Sequence, residues 1–106
     1  MAAELINELK TIRDKVNNLD LNDAKAIELE NLIDQTINIL GKLKNPRHDF
    51  FDSRRTSALR DLEYDKNRHL KGYWSAGNKV EKISEFSRAR NEVKTVINQI
   101  LSTFSR

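Results

Sequence analysis

The sequence predicts an all-α protein, a small four-helix bundle with antiparallel helices. Apolar residues recur at alternating steps of three and four, as on one face of a helix. The 106-residue chain also holds only three glycines and one proline, whereas a β-sandwich or barrel needs a turn signal every ~8–12 residues. This length predicts a single domain over residues 1–106.

Two helices are predicted in the first half, over residues 3–19 and from Asn22 or Asp23 to Lys44. The apolar seam of the first is Leu5, Leu9, Ile12, Val16 and Leu19. The seam of the second is Ala26, Leu29, Ile33, Thr36, Leu40 and Leu43. Pro46 stops helix two, because the residue before a proline disfavours the α conformation. Their short connection predicts an antiparallel pair.

Two further helices are predicted in the second half. The third starts at Asp52 or Ser53, after a loop at residues 45–53, and ends near residues 65–67. Residues 71–78 hold two of the three glycines and are predicted to form a second loop. Asn78 then caps the fourth helix, with Glu81 reaching back as in a capping box, and this helix runs to about Thr103. Helices two and four are therefore expected to be the longest.

Composition narrows the class of protein. The absence of cysteine excludes disulfides, thiolate metal sites and a cysteine nucleophile. The N-terminus lacks the pattern of a signal peptide, and no run reaches the ~18 apolar residues of a membrane span. We therefore expect a cytoplasmic protein with no membrane partner. The low apolar share, 38%, and the broad apolar surface of helix two predict self-association, with a dimer favoured.

The histidines give little support for catalysis or for a metal site. His48 and His69 are the only two, and they are too far apart in the sequence for a ligand pair. A helical ribonuclease of the HEPN type, which this chain resembles in size and helical character, is the enzyme alternative. That family places four to six residues between an arginine and a histidine, whereas eight separate Arg60 from His69. Its active site is not carried over, so we expect no enzyme activity and no cofactor.

Positive charge gathers in the second half of the chain. Residues 1–46 hold six Lys/Arg and eight Asp/Glu, whereas residues 47–106 hold thirteen and eight. Arginine forks bind phosphate oxygens in a bidentate way, and aromatic faces stack on bases. We therefore predict an anionic, base-containing ligand, either nucleic acid or a signalling nucleotide. The predicted ligand-binding residues are Arg54, Arg55, Arg68, Lys71, Tyr73 and Trp74.

One segment resembles a known family. Residues 68–73, Arg-His-Leu-Lys-Gly-Tyr, followed by an amphipathic helix, resemble a motif of phage anti-CBASS sponge proteins, which bind cyclic oligonucleotide signals without cleaving them. The family pattern is roughly Arg-x-Ile-Lys-Gly-Tyr-Arg, and Trp74 stands where the family has its last arginine. The resemblance implies a small helical oligomer in phage or bacterial defence. It also implies that Tyr73 stacks on a base and that Arg68 and Lys71 lie near phosphate.

A protein–protein interaction module with no nucleotide ligand is the alternative. The apolar stripes would equally suit an antitoxin, an immunity protein or an assembly subunit. Nothing in the residues separates these three.

Overall fold

The computed structural model describes residues 2–19, 23–43 and 49–104, and all regular structure in these ranges is helical. Residues 49–75 form one continuous rod, because α3 leads into a π-helical turn and then α4 without a break. The described residues thus form four helical rods, which confirms the predicted all-α class and helix count. The elements are α1 Ala2–Asn17, α2 Asp23–Lys42, α3 Asp49–Asp65, the π-turn Lys66–Leu70, α4 Lys71–Ser75 and α5 Lys79–Phe104.

The seams read from the sequence form most of the core. The predicted apolar residues of α1 from Leu9 onward are buried, and Leu5 packs partly buried against them. Each of the six seam residues of helix two is buried as well. Burial of a leucine or isoleucine stabilises by ~1.5–3 kcal/mol, so these two stripes supply much of the apolar stabilisation.

Two polar side chains also lie in the described core, those of Thr36 and Asp65. Thr36 is satisfied locally, because its hydroxyl donates to the carbonyl of Leu32 at 2.7 Å. Both carboxyl oxygens of Asp65, by contrast, lack a hydrogen-bond partner in the described part of the chain.

The predicted cap of the last helix is present. The Asn78 side-chain oxygen accepts from the Glu81 backbone N–H at 2.9 Å. The Glu81 carboxylate accepts from the N–H of Gly77 at 3.3 Å. The cap therefore satisfies two amides at the start of α5, where the helix itself offers no acceptors.

The loop predicted at residues 71–78 is wrong over most of its length. Residues 71–75 are helical, and the connection is limited to residues 76–78, where Ala76 turns to an extended conformation. Gly72 continues the helix, and Leu70 and Tyr73 on either side of it are buried in the core. Apolar burial therefore outweighs the weak helix preference of glycine, which costs about 1 kcal/mol.

The predicted end of helix three near residues 65–67 is wrong for the same reason. At that point the rod changes from α to π geometry and continues to Ser75. The rod is consequently longer than the 20-residue α2, so the expected ranking of helix lengths is not confirmed.

Guanidinium groups cap the ends of the first two helices. Arg90 donates to the carbonyl of Leu19 at 3.0 Å, and Arg55 donates to the carbonyl of Leu43 at 3.1 Å. The last carbonyls of a helix lack partners within it, so these bonds tie α1 to α5 and α2 to α3. None of the helices in the described ranges is long and apolar enough to cross a membrane.

Candidate nucleic-acid interface

All six residues predicted to bind a ligand lie on the rod formed by residues 49–75. Three of them, Arg54, Arg68 and Lys71, are exposed, and Trp74 is 45% exposed. Arg55 is half-buried and Tyr73 is buried. The structure therefore leaves four of the six side chains accessible to a ligand.

Tyr73 belongs to the core. It is 1% exposed, and its ring lies 6.0 Å from that of Phe86 and 5.0 Å, edge-on, from that of Trp74. The ammonium of Lys82 lies 5.0 Å from the centre of the same ring, a favourable cation–π distance. With its faces covered by the protein, Tyr73 is not available to stack on a base, and the role implied by the sponge-family resemblance is not supported.

Arg55 has a structural role, because its guanidinium completes the end of α2 at Leu43. An arginine that moved away from this carbonyl to reach a phosphate would leave the helix end without a donor. We therefore do not include Arg55 among the residues presented to a ligand.

The exposed residues of the rod include a series of cations and aromatics. Residues 60, 64, 68, 71 and 74 are all exposed and follow one another at steps of four, four, three and three, with the π-turn between Tyr64 and Lys71. We call this set the basic–aromatic stripe. Its members are Arg60, Tyr64, Arg68, Lys71 and Trp74.

Tyr64 is the member that the sequence analysis missed. It is 59% exposed, more than Trp74. Counting back from Lys71 and Arg68 at helical spacing would have found it, but the predicted helix end at residues 65–67 interrupted that count. Arg60 entered the sequence analysis only through its spacing to His69 and was not assigned to the site.

The π-turn sets the contacts behind the stripe. The Lys71 N–H reaches back to the carbonyl of Lys66, the five-residue step of a π-helix. The Tyr64 and His69 rings, also five residues apart, lie edge-to-face with centroids 5.9 Å apart. His69 Nδ1 in turn lies 2.9 Å from a carboxylate oxygen of Glu85 on α5. Tyr64 is therefore held from behind by a side chain that is itself anchored to the next helix.

Carboxylates lie on the buried side of the same turn. Burial, and then the charges of Glu92 and Glu85 on α5, raise the pKa of the Asp65 carboxyl to about 8. Asp65 is therefore protonated and neutral at pH 7. The negative charge behind the stripe is smaller than the number of carboxyl groups would indicate.

Lys66 does not join the stripe. Its ammonium pairs with the Asp34 carboxylate of α2 at 2.6 Å, and this hydrogen bond raises the pKa of Lys66. Glu63 is exposed beside Tyr64 and is the nearest acidic neighbour in sequence on that side.

Two open grooves lie away from the stripe. One, of about 480 Å³, runs between α1 and α2 over Leu5, Ile12 and Ile39, and the other, of about 460 Å³, is lined by residues 34, 37, 63, 66 and 67. None of the stripe residues lines either groove. Small-molecule sites are usually concave, and neither of these two grooves offers such a site to the stripe residues.

The histidines give no metal site in the described residues. No group of three or more His, Asp or Glu side chains lies close enough there to hold a metal ion. His69 is occupied by Glu85, and His48 lies outside the described residues. Comparisons with protein-family models, with curated proteins and with solved structures find no match to this chain.

Proposed function

We propose that this protein binds single-stranded nucleic acid through the basic–aromatic stripe and does no chemistry on it. The observation that carries the proposal is the series of three cations and two aromatics that are exposed along a continuous helical rod. We place the activity in the cytoplasm.

The cations of the stripe suit the phosphate of a nucleotide, and its aromatics suit the base. Guanidinium and ammonium groups pair with phosphate oxygens, and an exposed aromatic ring offers a flat face for ~1–3 kcal/mol per stacked base. Stacking requires a base that is not already inside a duplex, so the two aromatics favour single strands. Because an aromatic side chain can stack on any base, we also expect weak sequence preference.

The shape of the surface favours a polymer over a small nucleotide. Tyr64 and Trp74 are ten residues apart, about 15 Å along a helix that rises 1.5 Å per residue. A cyclic dinucleotide needs a concave pocket to bury its faces, and the stripe lines neither groove. An extended strand can instead follow the rod, with Arg68 and Lys71 between the two stacking positions.

The sponge-family resemblance suggests cyclic oligonucleotides as a second ligand for the binding titration. Arg68 and Lys71 are exposed, in keeping with a role near phosphate, whereas Tyr73 is buried. Cyclic oligonucleotides are therefore the comparison ligand rather than the favoured one.

The proposal assumes an antiparallel arrangement of the helices. Cross-helix pairs support it: Arg55 contacts residue 43 and Lys66 contacts residue 34, so chain order reverses between α2 and α3. Chain order also reverses between this rod and α5. His69 pairs with Glu85, whereas Asp65, earlier in the chain, is acted on by the charge of Glu92, later in the chain.

A protein-partner role remains the alternative. Val80 is 76% exposed and Ile83 is also exposed, and they lie one turn apart at the start of α5.

The dimer prediction is a separate proposal. Most apolar residues of α2 are buried within the chain, and Ile27 is the large one left more than half-exposed on the described part of that helix. Light scattering at high concentration tests the dimer.

The nucleic-acid proposal is tested by titration with three probes at low salt: single-stranded oligonucleotides, the same sequences as duplexes, and cyclic dinucleotides. Trp74 is the only tryptophan and lies in the stripe, so its fluorescence reports binding directly. Fluorescence anisotropy of labelled oligonucleotides gives an independent affinity. We expect single strands to bind most tightly.

Variants separate charge from stacking. Arg68→Gln or Lys71→Gln should weaken binding and lower the salt slope by about 0.7 for each phosphate of a single strand that the variant no longer neutralises. Tyr64→Ala should weaken binding with the slope unchanged, because stacking releases few counterions. Lys10→Gln, at an exposed lysine of α1, is the matched charge control. Equal decreases of affinity in Lys10→Gln and Lys71→Gln, or no binding of any single strand, would reject the proposal.

A further inference from the structure

Asp65 is the last residue of α3 and the point at which the rod changes geometry. Its side chain is fully buried, and neither carboxyl oxygen has a hydrogen-bond partner among the described residues. An unpaired buried polar group costs free energy that a satisfied one does not. Packing alone therefore does not explain why the Asp65 carboxyl is buried.

Within the described ranges, the charged groups that act on Asp65 do not neutralise it. On α5, which packs against it, Glu85 and Glu92 are the charges that act on Asp65, and both are acidic. On the π-turn, His69 is engaged by Glu85. On α2, the charges act on the neighbouring Lys66, through its pairing with Asp34 and the nearby Glu30. An ionised Asp65 would thus face two carboxylates across the α3–α5 interface.

The position of Asp65 links it to the second half of the stripe. From residue 62 onward the buried positions of the rod are Leu62, Asp65, Leu70 and Tyr73, and the step of five after Asp65 is the π-turn. Helix segments with π geometry are often functional. The segment from residue 66 to residue 75 carries Arg68, Lys71 and Trp74.

We infer that Asp65 and the π-turn form a proton-dependent latch: the protonated carboxyl keeps residues 66–75 packed on α5, and loss of its proton releases them. A neutral carboxyl fits a dry interface beside two glutamates, whereas a carboxylate there is repelled by both and is not solvated. The consequence for nucleic-acid binding rests on the proposed function, but the latch itself does not.

The direction of the pH dependence follows from linkage. The pKa of Asp65 is raised to about 8 in the closed state from its ordinary 3.8, and in an opened segment it returns toward the ordinary value. Between these values opening releases one proton, so the opening equilibrium constant rises about tenfold per pH unit. Above pH 8 both states are ionised and the dependence stops.

Two measurements on the protein without ligand test the latch. The first follows the side-chain carboxyl carbon of Asp65 by NMR between pH 4 and 9. The second follows hydrogen exchange of residues 66–75, with the opening constant obtained after correction for the intrinsic exchange rate. We expect a carboxyl titration near pH 8 and an opening constant that rises about tenfold per pH unit and then levels off.

The Asp65→Asn variant replaces the titratable carboxyl with an amide of the same shape. Its opening constant should not vary with pH over this range, although His69 and the glutamates are all retained. Asp14→Asn, at an exposed aspartate of α1, should behave like the original protein. Titration of Asp65 near pH 4, or an identical pH response in Asp65→Asn, would overturn the latch.

Binding distinguishes the latch from the proposed function. If both are correct, single-strand affinity falls as pH rises from 5 to 8 in the original protein and falls less in Asp65→Asn. If the opening constant behaves as expected but no strand binds at pH 5, the latch stands and the nucleic-acid function fails. Binding without any difference between the two proteins, together with a pH-independent opening constant, sustains the function and rejects the latch.

Discussion

The carboxylate of Glu85 packs so closely on Gly72 that a side chain there would be in tight contact with it. A Cβ built on Gly72 would lie 3.0 Å from the Glu85 Cδ and 3.1 Å from its Oε2, the oxygen that also contacts His69. The absence of a side chain at Gly72 thus lets the carboxylate of α5 pack closely against the rod. The same carboxylate is anchored through His69 to the turn that supports Tyr64.

This relationship predicts different outcomes for two glycine substitutions. Gly41→Ala should raise the free energy of unfolding by about 0.5–1 kcal/mol, the usual helix gain, because a Cβ there has no neighbour within 4 Å. Gly72→Ala should give a smaller gain, since the Glu85 carboxylate that contacts His69 must shift by a few tenths of an ångström to admit the new methyl. Urea unfolding of the two variants measures the difference.

A double substitution isolates the cause. In a Glu85→Ala background, Gly72→Ala should recover the stabilisation seen at position 41, because the obstructing carboxylate is gone. A Gly72→Ala protein that is as stabilised as Gly41→Ala while Glu85 is still present would show that the close approach has no energetic consequence.

The free energy of unfolding should also depend on the protonation of Asp65. Its folded-state pKa is raised to about 8 from 3.8, so the folded protein holds a proton that the unfolded chain releases between these values. The free energy of unfolding therefore loses ~1.4 kcal/mol per pH unit from this group as pH rises from about 4 to about 8. Below pH 4 this contribution is fully retained.

Asp65→Asn should remove that component. At pH 7 the variant should be more stable than the original protein by a few kcal/mol, reduced by the ~1–3 kcal/mol cost of a buried amide without partners. The measurement is the difference between the two urea-unfolding free energies at each pH from 5 to 8. A constant difference across this range would show that Asp65 ionises in the folded protein as it does in the unfolded chain.

The two tyrosines of the rod should respond in opposite ways. Tyr73→Ala empties a buried site against Phe86 and should cost ~3–5 kcal/mol of stability, as truncation of a core aromatic does. Tyr64→Ala removes an exposed ring and should change stability by less than about 1 kcal/mol while weakening single-strand binding. Thermal unfolding and anisotropy titration on the same samples separate the effects, and a Tyr73→Ala protein of unchanged stability would contradict the buried position.

Two arginines of the same rod give a parallel contrast. Arg55→Ala leaves the carbonyl of Leu43 without its donor and should cost about 1–3 kcal/mol, with the salt slope of binding unchanged. Arg60→Ala, at an exposed member of the stripe, should lower the salt slope with little effect on stability. If Arg55→Ala lowers the slope as much as Arg60→Ala, Arg55 contacts the ligand despite its structural bond.

The amino-acid sequence by itself determined the helical class and the faces that are buried. The steps of three and four from Leu9 to Leu43 identify core residues because a helix repeats every 3.6 residues and apolar burial depends on that repeat. The Asn78–Glu81 pair identified the start of α5 because a helix cap is a contact between residues near in sequence.

Only the tertiary structure decided what happens between residues 65 and 75. Gly72 continues the helix because Leu70 and Tyr73 beside it are buried in the core, and Tyr73 is buried against Phe86, which is more than ten residues away. The π-turn arises where the rod must present Leu70 and Tyr73 to α5, and no local pattern of residues specifies it. Tyr64 became a stripe residue, and Asp65 a buried acid, because packing across helices sets their exposure and their charge, and that packing is not readable from neighbouring residues alone.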